Sequence, residues 1–170
     1  MTEAEFAHRV LAHGRMAALL RAAARHGPPG GWLGAGFLRN AAWDWLHGRE
    51  PDPDAADLDL VFHAPGLDTA PFAAGLAQAE PGPRWEVVNQ AGLMPADDLA
   101  GAIALWPETA TAIAARWEGG RLALLAPHGW ADLFALRLRP TPAFAQRRAV
   151  VEARAAARGW FARWPGLAWA

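Results

Sequence analysis

The chain has 170 residues, a hydrophobic fraction of 53% and a formal net charge of −1, which fit one domain with one core and give no strong electrostatic attraction to nucleic acid or membranes. It contains no cysteine, so disulfides and thiolate metal sites are excluded. It also contains no serine, lysine or tyrosine, which excludes serine hydrolases, Schiff-base enzymes and the lysine-bearing P-loop.

Two helices are predicted at the start of the chain. Thr2 followed by Glu5 has the spacing of a capping box, which begins a helix. The His-Gly pair at 13–14 predicts a break in that helix. A second helix is predicted at 16–26, where apolar residues recur at helical spacing, and the Gly-Pro-Pro sequence at 27–29 ends it.

The next segments predict a strand, a helix, a loop and a second strand. Apolar residues between glycines at 32–35 indicate a short strand, and 37–47 has helical spacing that ends at Gly48. The prolines and aspartates of 50–56 indicate a loop. Alternation of side-chain character at 57–63 then indicates a strand.

Helices and strands continue to the end of the chain. A strand is predicted at 85–89, and a hairpin is predicted to join 110–117 to 122–126 across a Glu-Gly-Gly turn. Further helices are predicted in four segments, 69–79, 97–105, 130–138 and 144–164.

Strands mixed with helices predict an α/β (α+β mixed) domain, in which a mixed β-sheet is flanked by helices. No linker divides the sequence, so one domain is expected, with a helical extension at 1–28, a core at 31–140 and a C-terminal helix at 141–165. No apolar run reaches the ~18 residues that span a bilayer, and no secretory signal is visible. A cytoplasmic protein without a membrane partner is therefore expected.

Two aspartates lie in the predicted strand that follows the acidic loop. Asp57 and Asp59 point to one face because side chains alternate along a strand, whereas Leu58, Leu60 and Phe62 point to the other. Aspartate is depleted in strands, so two on one face need a reason. Mg²⁺ prefers oxygen ligands and is often held by one or two carboxylates together with substrate phosphates. The alternative is a solvated start of the strand.

A glycine-bearing turn precedes these aspartates. Gly34 and Gly36 lie between a predicted strand and a predicted helix, where backbone N–H groups can approach a phosphate. Arg39 and Asn40 follow in the first turn of that helix, and a guanidinium there can bind phosphate oxygens. The alternative is an ordinary turn in which Arg39 forms a salt bridge with Asp44 or with an acid of the next strand.

Glu86 lies on the next predicted strand. If that strand neighbours the aspartate strand, Glu86 completes a cluster of three carboxylates. Asn89 and Gln90, at the end of the same strand, are candidates to contact a base or a sugar. The alternative for Glu86 is a glutamate that faces water.

A glycine turn at a helix start, a D-x-D motif on a strand and a third acid on a later strand together resemble the polymerase-beta-type nucleotidyltransferase superfamily. The turn, Gly34 to Asn40, is also similar to the G-G-x-x-R-D start of tRNA CCA-adding enzymes. From about residue 32 to 165 the chain resembles a bacterial family described only as nucleotidyltransferase-like. Six strings carry this resemblance, at 35–44, 57–61, 85–91, 106–112, 126–129 and 132–140.

The resemblance implies a nucleotidyltransferase-like fold and the Mg²⁺-dependent transfer of a nucleoside monophosphate from a nucleoside triphosphate (NTP) to an acceptor hydroxyl. It does not name the acceptor, and the net charge argues against nucleic acid without excluding it. It implies that Asp57, Asp59 and Glu86 are the catalytic residues and the ligands of one or two Mg²⁺ ions. The implied nucleotide-binding residues are Gly34, Gly36, Arg39, Asn40, Asn89 and Gln90.

The chain departs from the family pattern after Glu86. Members usually carry Lys where this chain has Val88 and Arg where it has Gly92, and a His commonly follows near the position of Met94. These departures motivate an alternative function, a catalytically inactive nucleotide- or protein-binding module. A third interpretation is a metal-free interaction protein that uses its tryptophans. Three arginines are candidates to replace the missing cations, namely Arg39, Arg137 and Arg139.

Several other polar residues receive a structural interpretation. Thr109 and Thr111 are candidates to bind a ribose, but strand positions beside a core Trp106 are favoured. The histidines show no pair at the helical spacing of metal ligands. The arginines of the final predicted helix are interpreted as a solvated face rather than a nucleic-acid stripe, and they are Arg147, Arg148, Arg154 and Arg158.

Overall fold

The computed structural model describes residues 1–170 and contains a mixed five-stranded sheet. Its strands are β1 (Trp32–Gly34), β2 (Leu58–Phe62), β3 (Trp85–Asn89), β4 (Ala114–Glu118) and β5 (Arg121–Leu125). Their order is β3-β2-β1-β4-β5. Strands β2 and β3 are parallel, and all other neighbours are antiparallel. The predicted mixed sheet of an α/β (α+β) fold is thereby confirmed.

Eight α-helices, one 3₁₀ helix and a second, two-stranded sheet surround the central sheet. No helix combines the length and the hydropathy needed to cross a membrane. The helices are α1 (Glu3–Ala12), α2 (Gly14–His26), α3 (Gly36–Leu46), α4 (Ala70–Ala79), α5 (Leu99–Ala104), α6 (Ala131–Phe134), α7 (Arg148–Ala157) and α8 (Trp160–Arg163). The small sheet pairs β6 (Arg137–Leu138) with β7 (Ala168–Trp169), and the 3₁₀ helix is Pro142–Arg147.

The N-terminal helices form as the sequence predicts. Glu5 N–H donates to Thr2 Oγ1 over 3.2 Å and Thr2 N–H donates to Glu5 Oε2 over 2.6 Å, which completes the capping box. His13 ends α1 in an extended conformation and caps α2, because its Nδ1 accepts from the Met16 N–H. The predicted break between the two helices is therefore confirmed.

Three predicted elements are corrected by the structure. The helix predicted at 130–138 is only the four-residue α6, because Leu136 adopts a positive φ of 55° just after it. The helix predicted at 144–164 is interrupted by the left-handed Gly159, which separates α7 from α8, and it begins as a 3₁₀ turn. The strand predicted from residue 110 begins at 114, since the N–H groups of Thr111 and Ala112 both bond to the Glu108 carbonyl in a turn.

Tryptophans pack the C-terminal segment onto α3. The ring centroid of Trp43 lies 5.0 Å from that of Trp164 and 5.8 Å from that of Trp160, both in edge-to-face geometry. All three indoles are buried. Burial of a large apolar side chain contributes about 1.5–3 kcal/mol, so this cluster is a main reason why the segment after residue 147 docks on the core.

Asp44 fixes the same docking with polar contacts. This buried residue of α3 accepts a hydrogen bond from Trp164 Nε1 over 2.8 Å. It also pairs with Arg163 and Arg49, each at 3.0 Å. Three partners satisfy the buried carboxylate, as a buried charge requires. These contacts and the tryptophan cluster hold the segment that follows α7 against α3.

Candidate functional site

Parallel pairing of β2 with β3 brings the predicted acidic residues together. Asp59 is the register partner of Glu86, and Asp57 directly precedes β2. Because side chains alternate, Asp57 and Asp59 lie on one face of the sheet, while Leu58 and Leu60 are fully buried on the other. The expected neighbourhood of the two acidic strands is thus present.

The three acids line one cleft of about 280 Å³, which we call the acidic lobe. Its strand wall carries carboxylates, and its helix wall carries arginines and an asparagine. Besides a few alanines, the lining residues are Gly36, Arg39, Asn40, Asp57, Asp59, Glu86, Thr111, Arg154 and Arg158. Opposite charges therefore face each other across a concave surface.

The three carboxylates are not drawn together into a preformed group of three metal ligands. Arg84 lies between two of them, with Nε 2.9 Å from Asp57 Oδ1 and Nη2 2.5 Å from Glu86 Oε1. Like charges on neighbouring strands repel, and this guanidinium offsets one of the two negative charges of Asp57 and Glu86. The arrangement keeps both acids at the cleft but pairs them with a side chain of the protein.

Asp59 is the carboxylate that has no ion-pair partner. It is half-buried, and burial followed by the charge of Glu86 raises the pKa of Asp59 above its ordinary value. Arg158 and Arg39 act in the opposite direction, without direct contact. Negative charge at the strand wall is therefore only partly compensated, and a cation in the lobe would relieve it.

The turn between β1 and α3 forms the rim of the lobe. Ala35 adopts φ 48° and ψ −117°, a region that non-glycine residues rarely occupy, and its N–H donates to the Ile113 carbonyl. Backbone strain of this kind is concentrated at functional sites. Helix α3 then starts at Gly36 with no side-chain cap, so its first N–H groups are available to an anion in the lobe.

Gly34 and Gly36, predicted together, have different roles. Gly36 lines the acidic lobe. Gly34 is absent from its lining, and a Cβ at Gly34 would lie 2.8 Å from Cη2 of Trp106. Position 34 therefore requires a glycine because the Trp106 indole packs closely against it. Gly34 does not line the cleft in which a phosphate would bind.

Arg39 lies buried at the back of the acidic lobe without a carboxylate partner. Its Nη1 donates to Thr111 Oγ1 and its Nη2 to Asn40 Oδ1, each over 2.9 Å, and its Nε has no partner. The guanidinium stacks 4.4 Å from the ring centroid of Trp160. Burial lowers the pKa of Arg39 to about 9. The predicted alternative, a salt bridge to Asp44 or to a β2 acid, does not form.

Arg154 of α7 and Arg158, the residue that directly follows this helix, also line the lobe, although the sequence predicted a solvated face for both. Arg154 Nε lies 2.8 Å from Oε1 of the fully buried Glu108, which holds this arginine toward the cleft. Arg158 is exposed and has no ion-pair partner. The spacing of four between them, which places both on one helical face, was the available signal.

Other arginines that were considered lie elsewhere. Arg139 pairs with Asp132 at 2.9 Å, and neither Arg139 nor Arg137 lines the cleft. They therefore do not replace the cations that the resembling family carries. Arg148 pairs with Glu152 on the surface of α7. The cations of the cleft come from α3 and α7 instead.

A second cavity of about 260 Å³, which we call the apolar lobe, adjoins the acidic lobe. The two share Ala35, Asp59, Thr111, Arg154 and Arg158 as lining residues. The remaining walls of the apolar lobe are Val61, Val88, Gln90, Trp106 and Pro107.

The two amides predicted at the end of β3 point in opposite directions. Gln90 is buried in the wall of the apolar lobe, and its Oε1 accepts from Trp106 Nε1 over 3.2 Å. Asn89 faces away, and its amide is engaged with the backbone of Ala64, Leu67 and Ala91. Since Asn89 is three residues from Glu86, alternation along the strand places it on the other face.

Thr111 and Thr109 differ in the same way. Thr111 lines both lobes and accepts from Arg39. Thr109 donates to Asp132 Oδ2 over 2.8 Å, outside the cleft. Of the two threonines, only Thr111 is therefore placed to contact a ligand.

The chain is similar to known proteins both in sequence and in fold. The sequence model of a family described as nucleotidyltransferase matches residues 21–169. A solved structure described as a CCA-adding enzyme head domain, determined by NMR, aligns with a TM-score of 0.87 at 24% identity and covers 99% of this chain and 96% of that chain. A structure of a tRNA-processing enzyme complex aligns with a TM-score of 0.48 at 16% identity, over 78% of this chain and 38% of that one. No curated protein matches the sequence.

Proposed function

Because the chain belongs to this nucleotidyltransferase family, we propose that it transfers a nucleoside monophosphate from an NTP to an acceptor hydroxyl in a Mg²⁺-dependent reaction. One observation carries the proposal. A single cleft has carboxylates on its strand wall, unpaired arginines on its helix wall and an uncapped helix N-terminus at its rim. These three features together suit a metal–polyphosphate ligand.

The acidic residues suit a divalent cation. Asp59 has no ion-pair partner and its negative charge is undercompensated, and carboxylate oxygens are the ligands that Mg²⁺ prefers. Asp57, Asp59 and Glu86 would hold it, with Asp57 and Glu86 released from Arg84. A bound Mg²⁺ would supply neutralisation of the phosphate charge that develops during transfer.

The triphosphate is proposed to bind at the rim and helix wall of the acidic lobe. The N-terminus of α3 at Gly36 offers backbone N–H groups, and Asn40 lies one turn further. Arg39 contributes a buried charge at the back, and Arg158 contributes an exposed charge at the entrance. These two arginines would compensate the polyphosphate in place of the cations that Val88 and Gly92 do not provide.

The transfer itself needs a base near the reacting phosphorus. The acceptor oxygen would form a bond to the α-phosphorus while the bond from that phosphorus to the bridging oxygen breaks and pyrophosphate leaves. Glu86, on the strand wall of the lobe, is proposed to take the proton of the acceptor hydroxyl. Asp59, its register partner, lies beside it on the same wall.

The decisive test is Mg²⁺-dependent NTP binding, measured by calorimetry. We expect Asp57→Ala to abolish the Mg²⁺-dependent part of binding. Asp97→Ala is the matched control, because Asp97 is exposed and lies outside the cleft. Unchanged binding in Asp57→Ala would reject the proposal.

A second candidate function is nucleotide binding without transfer. Val88 lines the apolar lobe where the resembling family usually has a lysine. Without that cation the cleft can hold a nucleotide and still lack a group that supports the reaction. NTP binding without pyrophosphate release, across a broad acceptor screen that includes RNA, would favour this second function.

A further inference from the structure

The apolar lobe has the chemistry of a site for a flat heteroaromatic group. Val61 and Val88 form its sheet wall, and Trp106 and Pro107 form a second wall. Apolar walls with one or two placed polar groups are typical of small-molecule sites. A nucleobase has this character, because its faces are apolar and its edge carries hydrogen-bonding groups.

Gln90 is the polar residue of this lobe that the acidic lobe does not share. Gln90 as a whole is only 5% exposed. Its Oε1 accepts from Trp106 Nε1. Since an indole N–H can only donate, this contact sets the orientation of the amide. The Gln90 NH₂ group is left without a hydrogen-bond partner in the protein, in the wall of the lobe. This nitrogen is not sealed from solvent, so a ligand in the lobe can accept a hydrogen bond from it.

Trp106 is itself held in place, so the Gln90 amide that it orients has a fixed position. Its indole packs on the Cα of Gly34, where a Cβ has no room. Its carbonyl accepts from Thr141 Oγ1 over 2.7 Å. Its backbone N–H donates to the Ile103 carbonyl over 3.0 Å. A fixed donor discriminates ligands better than a mobile one, because little ordering is needed on binding.

We propose that the apolar lobe is the nucleobase subsite and that the Gln90 NH₂ donates to a ring nitrogen or a carbonyl oxygen on the base edge. The inference rests on the proposed function, since a triphosphate at Gly36 and Arg39 directs the rest of the nucleotide across the shared boundary of the lobes. Asp59 and Thr111 lie at that boundary. Trp106 is a positioning residue, because it orients the amide.

The experiment compares the binding of NTPs with that of inorganic tripolyphosphate, in Mg²⁺, by calorimetry. We expect the parent chain to bind at least one NTP more tightly than tripolyphosphate. Gln90→Leu should weaken the binding of that NTP about 3- to 10-fold, the value of one hydrogen bond, and leave the binding of tripolyphosphate unchanged. Gln78→Leu is the matched control, because Gln78 is exposed on α4.

A second variant protects the test against misfolding. Gln90→Glu keeps an acceptor for Trp106 Nε1 but removes the donor, and the ratio of NTP to tripolyphosphate affinity should fall as in Gln90→Leu. An unchanged ratio in both variants, or an NTP that binds the parent no better than tripolyphosphate, would overturn the nucleobase subsite while the proposed function stands. Failure of the parent to bind either probe would overturn both.

Discussion

Arg84 lies directly against Asp57, with its Nε 2.9 Å from Asp57 Oδ1. The same guanidinium contacts Glu86. It therefore occupies a position between two proposed Mg²⁺ ligands and competes with a divalent cation for them.

Arg84→Gln is expected to strengthen Mg²⁺ binding by up to about 5-fold, because exposed ion pairs contribute roughly 0–1 kcal/mol. Calorimetric titration with Mg²⁺ alone measures this effect. Arg121→Gln removes an exposed arginine outside the cleft and should change nothing. Weaker Mg²⁺ binding in Arg84→Gln would show that Arg84 supports the site instead of competing for it.

Asp59→Asn is expected to stabilise the chain when a chelator removes divalent cations. Asp59 is a half-buried carboxylate without an ion-pair partner, and a neutral isostere removes its desolvation cost. A gain of about 1 kcal/mol would raise Tm by roughly 2–4 °C. With Mg²⁺ added, only the parent should gain stability, because a ligand stabilises the state that binds it. Thermal unfolding with EDTA and with Mg²⁺ tests both halves.

Arg154 of α7 and Arg158, directly after it, should respond differently to truncation. Arg158 has no ion-pair partner, so Arg158→Ala should leave Tm unchanged and weaken NTP binding about 3- to 10-fold at low salt, less at high salt. Arg154→Ala leaves the fully buried Glu108 without its cation. It should destabilise the fold by about 2–3 kcal/mol. Denaturant unfolding and NTP titration at two salt concentrations separate the effects, and a loss of stability in Arg158→Ala would contradict this account.

The two glycines of the turn provide another matched pair. Gly34→Ala places a Cβ 2.8 Å from Trp106 Cη2, and such overpacking costs about 1–3 kcal/mol. The new Cβ of Gly36→Ala would lie 3.7 Å from the side chains of Arg39 and Asn40, an ordinary contact. This variant should keep its stability but crowd the phosphate region and weaken tripolyphosphate binding. Equal stability of the two variants would contradict the role assigned to Trp106.

The sequence alone predicted those features that depend on the spacing of nearby residues. Asp57 and Asp59 share a face because they are two residues apart, and the capping box of α1 follows from spacing alone. The same rule, applied to Asn89 and Gln90, would have shown that only Gln90 lies on the face of Glu86.

The other features of the site depend on contacts between residues that are distant in the sequence. The sequence did not show that Arg84 pairs with two acids, because that depends on the register of β2 with β3. It also did not place Arg154 and Arg158 at the cleft, since their position depends on how Asp44 and the tryptophan cluster dock the C-terminal segment. Gly34 was predicted to bind phosphate from its place in the turn. The packing of Trp106 against it joins distant parts of the chain, so the sequence could not show this other reason for a glycine.

The cleft joins two parts of the chain that are far apart in sequence, the acidic strands and α7. A ligand that bridges both walls would clamp α7 against the sheet and suppress its local opening. Backbone amides of α7 should then exchange with deuterated solvent more slowly when Mg²⁺ and nucleotide are bound, although no backbone group of that helix needs to touch the ligand. The exchange rate of the α7 amides would thus show whether the cleft holds a ligand.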